Sequence, residues 1–231
     1  MADVRTRVSA PALLVVCFLS ATSGCVDAVS FISFRTVFTA NMTGNIVLLG
    51  LGIANVSGLW LAGLCSAVGG FCIGTFGSTW YARWRHISGP NLLVHCLLAQ
   101  LVVMVVLTGW LSITGAHASS ATQLVFVGFM GAGMGAQGTA AREAAVPFVS
   151  TLAFTSTLQR AASHWSIDRR TPEFALIAAL ICIVLGAAGS ALLQLRAVWL
   201  GMLLSCVLIG LALLIAPKLH AAARGPSGTK Q

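Results

Sequence analysis

Apolar residues along this chain come in long blocks separated by short polar stretches, and the blocks cover residues 11–34, 36–54, 58–81, 92–113, 122–141, 146–160, 174–194 and 197–217. About 20 residues of helix, rising about 1.5 Å each, match the hydrocarbon thickness of a bilayer, so an uncharged apolar run of that length reads as a transmembrane helix. Two blocks differ from the others. Block 36–54 opens on Thr36, Thr39, Asn41, Thr43, Gly44 and Asn45, and only 46–54 is cleanly apolar. Block 146–160 is broken by Pro147, Ser150, Thr151, Thr155, Ser156 and Thr157 and stops at Arg160. Both read as half-helices or re-entrant pieces that do not cross. The predicted fold is an all-α integral membrane protein with six transmembrane helices and two short re-entrant segments.

The basic residues favour the same arrangement, because cytoplasmic loops are enriched in Lys and Arg. If every block crossed, with the N-terminus inside, Arg35, Arg83, Arg85, Arg142 and Arg196 would face outward. If 36–54 and 146–160 re-enter, Arg83, Arg85 and Arg142 move inside and only Arg35 and Arg196 stay out. Six crossings with both termini cytoplasmic follow from that count.

Composition removes the soluble classes. The chain is 58% hydrophobic and 8% charged, with a mean hydropathy of +0.94, whereas a soluble domain carries roughly a quarter charged residues. Its net charge of +8 sits beside the apolar blocks, which marks topology and not a nucleic-acid footprint. The seven cysteines lie inside apolar blocks without C-x-x-C or metal spacing and read as small buried hydrophobes. Arg5, Arg7 and the apolar run from Leu13 to Leu19 imitate a signal peptide, but hydrophobicity continues past Cys25 to Phe34, as an uncleaved span requires.

Gly24-Cys25-Val26-Asp27 leads into Thr43-Gly44-Asn45, and Gly135-Ala136-Gln137-Gly138 leads into Thr155-Ser156-Thr157, which suggests an internal repeat. With three crossings per half, the second copy enters the membrane inverted. Many secondary transporters share that plan, and their short interrupted segments mark the binding site. On this reading 1–11 is a cytoplasmic N-terminus, 12–113 and 122–217 are the two membrane repeats, and 218–231 is a disordered cytoplasmic tail.

Asp27 is the one acidic residue well inside a predicted span, and an ionisable group at that depth suggests a proton or cation coupling site. The same carboxylate could instead be satisfied by nearby hydroxyls and amides, or by Arg35. Asn41, Thr43, Gly44 and Asn45 stand at the start of a half-helix, whose free N–H groups could face a polar solute. They could equally cap the helix. Gln137, Thr155 and Ser156 are the matching polar positions of the second half, with the same two readings. Gly70-x-x-x-Gly74, Gly131-x-x-x-Gly135 and Gly186-x-x-Gly189 most simply permit close helix packing. His95 stands without a second ligand at coordinating spacing, and no hydrolase, phosphate-loop or zinc motif occurs, so neither an enzyme nor a cofactor is expected.

The residues Gly24-Cys25-Val26-Asp27-Ala28, followed by Ala40-Asn41-Met42-Thr43-Gly44-Asn45-Ile46-Val47-Leu48-Leu49-Gly50, resemble the YoaK family of bacterial membrane proteins. Met134-Gly135-Ala136-Gln137 and the stretch 151–157 are similar to that family's second signature, so the resemblance spans nearly the whole chain. It departs at Gln137-Gly138 and Thr155-Ser156, where the family tends to show Gln-Asn and Thr-Gly. The resemblance implies a multi-pass protein of the bacterial cytoplasmic membrane and supplies no substrate.

The partners expected are the lipid bilayer and a small solute or ion, not nucleic acid. The leading reading is a small secondary transporter or permease. Its alternatives are a structural or regulatory membrane protein, in which the polar residues only hold helices together, and a passive pore.

Overall fold

The computed structural model describes residues 8–54, 60–114, 119–143 and 172–219. Among the described residues there are seven helices and no strand: α1 (Ala10–Ser33), α2 (Met42–Ile53), α3 (Leu61–Arg85), α4 (Gly89–Thr114), α5 (Ser120–Glu143), α6 (Pro172–Gln194) and α7 (Val198–Ile215). All except α2 are long and apolar enough to cross a membrane. The 12 residues of α2 extend about 18 Å against a hydrocarbon core of about 30 Å. Block 146–160, with Thr155 and Ser156, lies outside the described residues.

Local chemistry sets the helix ends. Ser9 caps α1, its side chain accepting the Ala12 N–H, with Pro11 in the first turn where its missing N–H costs nothing. Helix α3 stops at His86, which takes the left-handed conformation at φ 52°. Helix α2 starts at Met42 instead of near Thr36, because Asn41 takes the cap position and its side-chain oxygen accepts the Gly44 N–H at 3.3 Å. Several hydroxyls within the spans donate inside their own helices, as Thr22 to Phe18 O, Ser23 to Leu19 O and Thr108 to Met104 O.

Two helix pairs form the most extensive contacts, α3 with α5 and α1 with α6. Glycine makes both crossings possible. A Cβ on Gly70 or Gly74 would overlap the carbonyl oxygen of Gly128 or Ala132, and one on Gly131 or Gly135 would overlap that of Ala67 or Phe71. In the second pair Gly24 lies against Ile183 O and Gly186 against Ala21 O. Lipid tails are as apolar as leucine, so close backbone approach and hydrogen bonds supply the attraction between such helices. Ser66 Oγ donates to Leu124 O at 2.7 Å across one crossing, and Cys25 Sγ to Gly186 O at 3.1 Å across the other. Helix α4 packs on α5 and α7, α7 also packs on α1 and α6, and α2 leans on α3.

The register of these contacts fixes helix directions. Gly70 and Gly74 meet Gly128 and Ala132 in the same order, so α3 and α5 are parallel. Cys25 and Ser33 meet Gly186 and Gln194 in the same order, so α1 and α6 are parallel. Leu19 meets Gln137 whereas Phe34, at the far end, meets Phe126, so α1 and α5 are antiparallel. Hence α3 runs opposite to α1, although only α2 separates them in sequence. The Arg35 guanidinium, just past α1, lies 5.4 Å from the ring centroid of Trp60, just before α3. The intervening stretch therefore leaves and returns on one side of the bundle, whereas eight crossings would have made α1 and α3 parallel.

Two expectations need correction. Arg35 stacks on Trp60 and does not serve Asp27. The cysteines are all free, but only Cys25, Cys96 and Cys206 are buried; Cys65 and Cys72 are exposed on α3, which turns one side to lipid, a solvent in which an apolar thiol needs no cover.

Gly74→Ala is expected to lower the melting temperature in detergent micelles by several degrees, since overpacking costs about 1–3 kcal/mol. Gly77→Ala, at a position with open space, should leave it unchanged. In a background without native cysteines, Thr36→Cys and Ser88→Cys should react with an impermeant thiol reagent from opposite sides of the membrane. Labelling of both from one side would contradict the re-entrant geometry.

Candidate functional site

After α1 the chain turns back on itself. Arg35 and Thr36 take left-handed conformations, at φ 54° and 60°, and the Thr36 N–H closes onto Phe31 O at 3.1 Å. The next residues descend beside α1 without secondary structure, yet Val37, Thr39 and Ala40 are fully buried. Backbone at such depth needs partners, because an unpaired N–H in an apolar medium costs several kcal/mol, on the order of 2–7. Side chains supply them. Ser30 Oγ donates to Val37 O at 2.7 Å. Asn45, itself buried, accepts the Phe38 N–H at 3.0 Å through Oδ1 and donates to Phe38 O through Nδ2. Asp27 Oδ1 accepts the N–H groups of Thr39 at 2.7 Å and of Ala40 at 2.6 Å.

This arrangement brings Asp27, Asn41 and Asn45 together at the N-terminal end of α2. The carboxylate stands two turns below the end of α1, roughly 9 Å along its axis at about 1.5 Å per residue, so α2 begins inside the bundle. Its helix dipole points its positive end at Asp27, which favours a negative charge there. Gly44 belongs to the same unit, since a Cβ there would press on the Asn41 amide and the Phe38 ring at 3.1 and 3.3 Å. Thr43, by contrast, lies on the exposed face of α2. Geometrically, Asp27 is a cap for incoming backbone, with one oxygen fully committed.

Gln137 is elsewhere. It is fully buried on α5, and its Nε2 donates to Leu19 O at 3.3 Å, eight residues before Asp27 on α1. That carbonyl can only accept, so Gln137 must present its nitrogen there, leaving Oε1 without a partner. Gln100 of α4 behaves similarly one turn away: its Nε2 reaches Met134 Sδ at 3.5 Å and its buried Oε1 has no partner. The buried Ser20 hydroxyl, adjacent to Leu19 in sequence, is also unpartnered. Gln137 and Gln100 thus leave two buried amide oxygens unpaired between α1, α4 and α5, whereas the Ser20 hydroxyl lies on the stripe of α1 that carries Gly24 toward α6. Sequence reading had Gln137 but neither Gln100 nor Ser20. Their signal was available, since Gln100 lies on the same helical face as Leu93, Leu97, Met104 and Leu111, all buried.

The two sites, Asp27 and the Leu19 contact of Gln137, lie about 12 Å apart along α1, by helical rise. The structure therefore separates Asp27, Asn41, Gly44 and Asn45 from Gln137, while Thr155 and Ser156 lie outside the described residues. Among the described residues no three His, Cys, Asp or Glu side chains come together as a metal site. His95 instead packs edge-on against Tyr81 at 6.0 Å.

The chain matches the family described as "Protein of unknown function (DUF1275)" over residues 15–215. It is also 30% identical over 144 residues to the UPF0700 transmembrane protein YoaK of Bacillus subtilis (strain 168). That match covers 61% of this chain and 61% of YoaK, so the aligned part spans less than two thirds of the relative. No solved structure matches the chain. Both matches agree with the family resemblance carried by the Val-Asp-Ala and Met-Thr-Gly-Asn residues.

Asp27→Ala strands the Thr39 and Ala40 amides, each worth about 1–3 kcal/mol when buried and unpaired. The variant should melt well below the parent in detergent. Asp27→Asn keeps an acceptor oxygen and should lose less than half as much. Equal stability of the parent and both variants would contradict the capping role.

Proposed function

Since the chain belongs to the DUF1275 family, whose function is unknown, we propose a role from its own geometry: a small secondary transporter or permease of the bacterial cytoplasmic membrane that moves its solute chemically unchanged. The observation that carries this reading is a half-helix beginning inside the bundle, because broken helices at mid-depth are where such proteins place their solute and ion sites. The two membrane repeats, related by inversion, are part of the proposal. Gly24 against Ile183 and Ala187 has its counterpart in Gly135 against Phe71 and Thr75, and Gly186 against Ala21 has its counterpart in Gly74 against Ala132. The pairing of α1 with α6 and of α3 with α5 has the pattern expected of two interlocked inverted halves.

Within this reading the unpartnered amide oxygens of Gln100 and Gln137 are the contact point for the solute. Asp27 holds the half-helix in place and coupling through it is secondary. The arginine-bearing C-terminal ends of α3 and α5, with Arg83, Arg85 and Arg142, face the cytoplasm in this reading, as do both termini.

One observation favours the structural alternative. Asp27 and Asn45 are both engaged with the chain's own backbone, as expected if the polar residues serve only to hold helices and loops. Flux into proteoliposomes separates the readings. With a panel of small solutes and ions, under proton or sodium gradients, at least one solute should accumulate, and Gln137→Leu should cut its flux at least ten-fold while the protein still elutes as a folded species. Absence of protein-dependent flux across the panel would favour the structural role.

A further inference from the structure

We propose that a cavity at the basic end of α3 binds the phosphate of an anionic phospholipid headgroup. The cavity has a volume of about 410 Å³ and is lined by Thr79, Arg83, His86, Ser88 and Thr139, with Ala82 and Ile87 adding apolar wall. The Arg83 guanidinium, the His86 imidazole and the Ser88 hydroxyl form a donor set suited to phosphate oxygens, while Thr79 and Thr139, whose hydroxyls donate to Thr75 O and Gly135 O, add polar wall. Helix α4 begins at Gly89, directly after Ser88, and sets the positive end of its dipole beside the cavity. Arg142, in the last turn of α5, is exposed at the same end because α3 and α5 are parallel.

The depth of the cavity points to a lipid. Trp80 and Trp84 are exposed on the last turns of α3 and stack with centroids 5.8 Å apart, and the Arg85 guanidinium lies 5.5 Å from the Trp84 ring centroid. Tryptophan with flanking arginine marks the level where hydrocarbon meets headgroups. Thr79 and Arg83 sit within this same stretch of α3, so the cavity opens at headgroup height. A soluble phosphate could share the donor chemistry, but it would lack the acyl chains that the exposed apolar surface of α3, including Ile73 and Phe76, accommodates.

Native mass spectrometry of the full chain released from detergent micelles tests this without reference to transport. Phosphatidylglycerol should be retained at least ten-fold more than phosphatidylcholine at equal concentration. Arg83→Gln should reduce that preference about five-fold, the effect of one basic side chain near an anionic lipid surface. Arg83→Lys should restore part of it, and Arg85→Gln, which removes the arginine stacked outside the cavity, should reduce it less than two-fold. Ser88→Ala, a milder change at an exposed position, should also weaken retention, and thermal melts would confirm that each variant is folded. Equal retention of the two lipids, or a preference that Arg83→Gln leaves intact, would overturn the proposal. Displacement of phosphatidylglycerol by millimolar inorganic phosphate or glycerol phosphate would reassign the cavity to a soluble anion and overturn it as well.

Discussion

Open backbone cannot remain unpaired where water is absent, and the structure of this protein turns on how that constraint is met between α1 and α2. Asp27 takes the amides of Thr39 and Ala40, Asn45 takes both polar groups of Phe38, and Ser30 takes Val37 O. With those groups satisfied, an extended stretch can lie buried beside α1 and deliver Asn41 to a depth where α2 starts inside the protein. The rest of the topology follows. The chain returns to the side it left, Arg35 meets Trp60, and α3 runs opposite to α1. Without this anchor the polar segment would have to be exposed at the interface or extended into a full span, and it is too polar for the latter.

Around this anchor the bundle is held by shape. Glycine on one helix faces a carbonyl on its neighbour in both parallel crossings, and cysteine or serine donors stitch across each. Contacts of this kind are short-ranged and unforgiving of added volume. The pairs α1–α6 and α3–α5 are therefore the firm units, whereas α1 and α5 meet only sparingly. The unpartnered amide oxygens of Gln100 and Gln137 lie where α1, α4 and α5 converge, at the seam between these units. Polarity at a seam between firm bodies adds to the transport proposal, which the half-helix α2 carries.

Much of the fold was legible because lipid imposes one rule on long segments. The apolar blocks 11–34 and 92–113 became Ala10–Ser33 and Gly89–Thr114 with shifts of a few residues at each end, since length and lack of charge decide both. Block 36–54 was read correctly as short. Its polar residues from Asn41 to Asn45 were read as the start of a half-helix, and Asn41 caps α2 there. The partners of Asp27 were legible only as a class, nearby amides; which amides was not, because every residue carries one and no residue type betrays Thr39 and Ala40. Arg35 looked like a natural counterion, but the left-handed turn at Arg35 and Thr36 sends its side chain to Trp60. Gln100 was passed over because a single amide in an apolar helix resembles a packing residue until its neighbours are known.

The central claim is that Thr39 and Ala40 donate to a carboxylate inside the membrane, and amide hydrogen exchange at those two residues tests it most directly. Measured by NMR on isotope-labelled protein in micelles or nanodiscs, both amides should exchange as slowly as those in the middle of α1, although neither lies in a helix, and both should become fast in Asp27→Ala. Rapid exchange in the parent protein, at the rate of an interfacial loop, would show that the stretch is solvated and that Asp27 does not hold it.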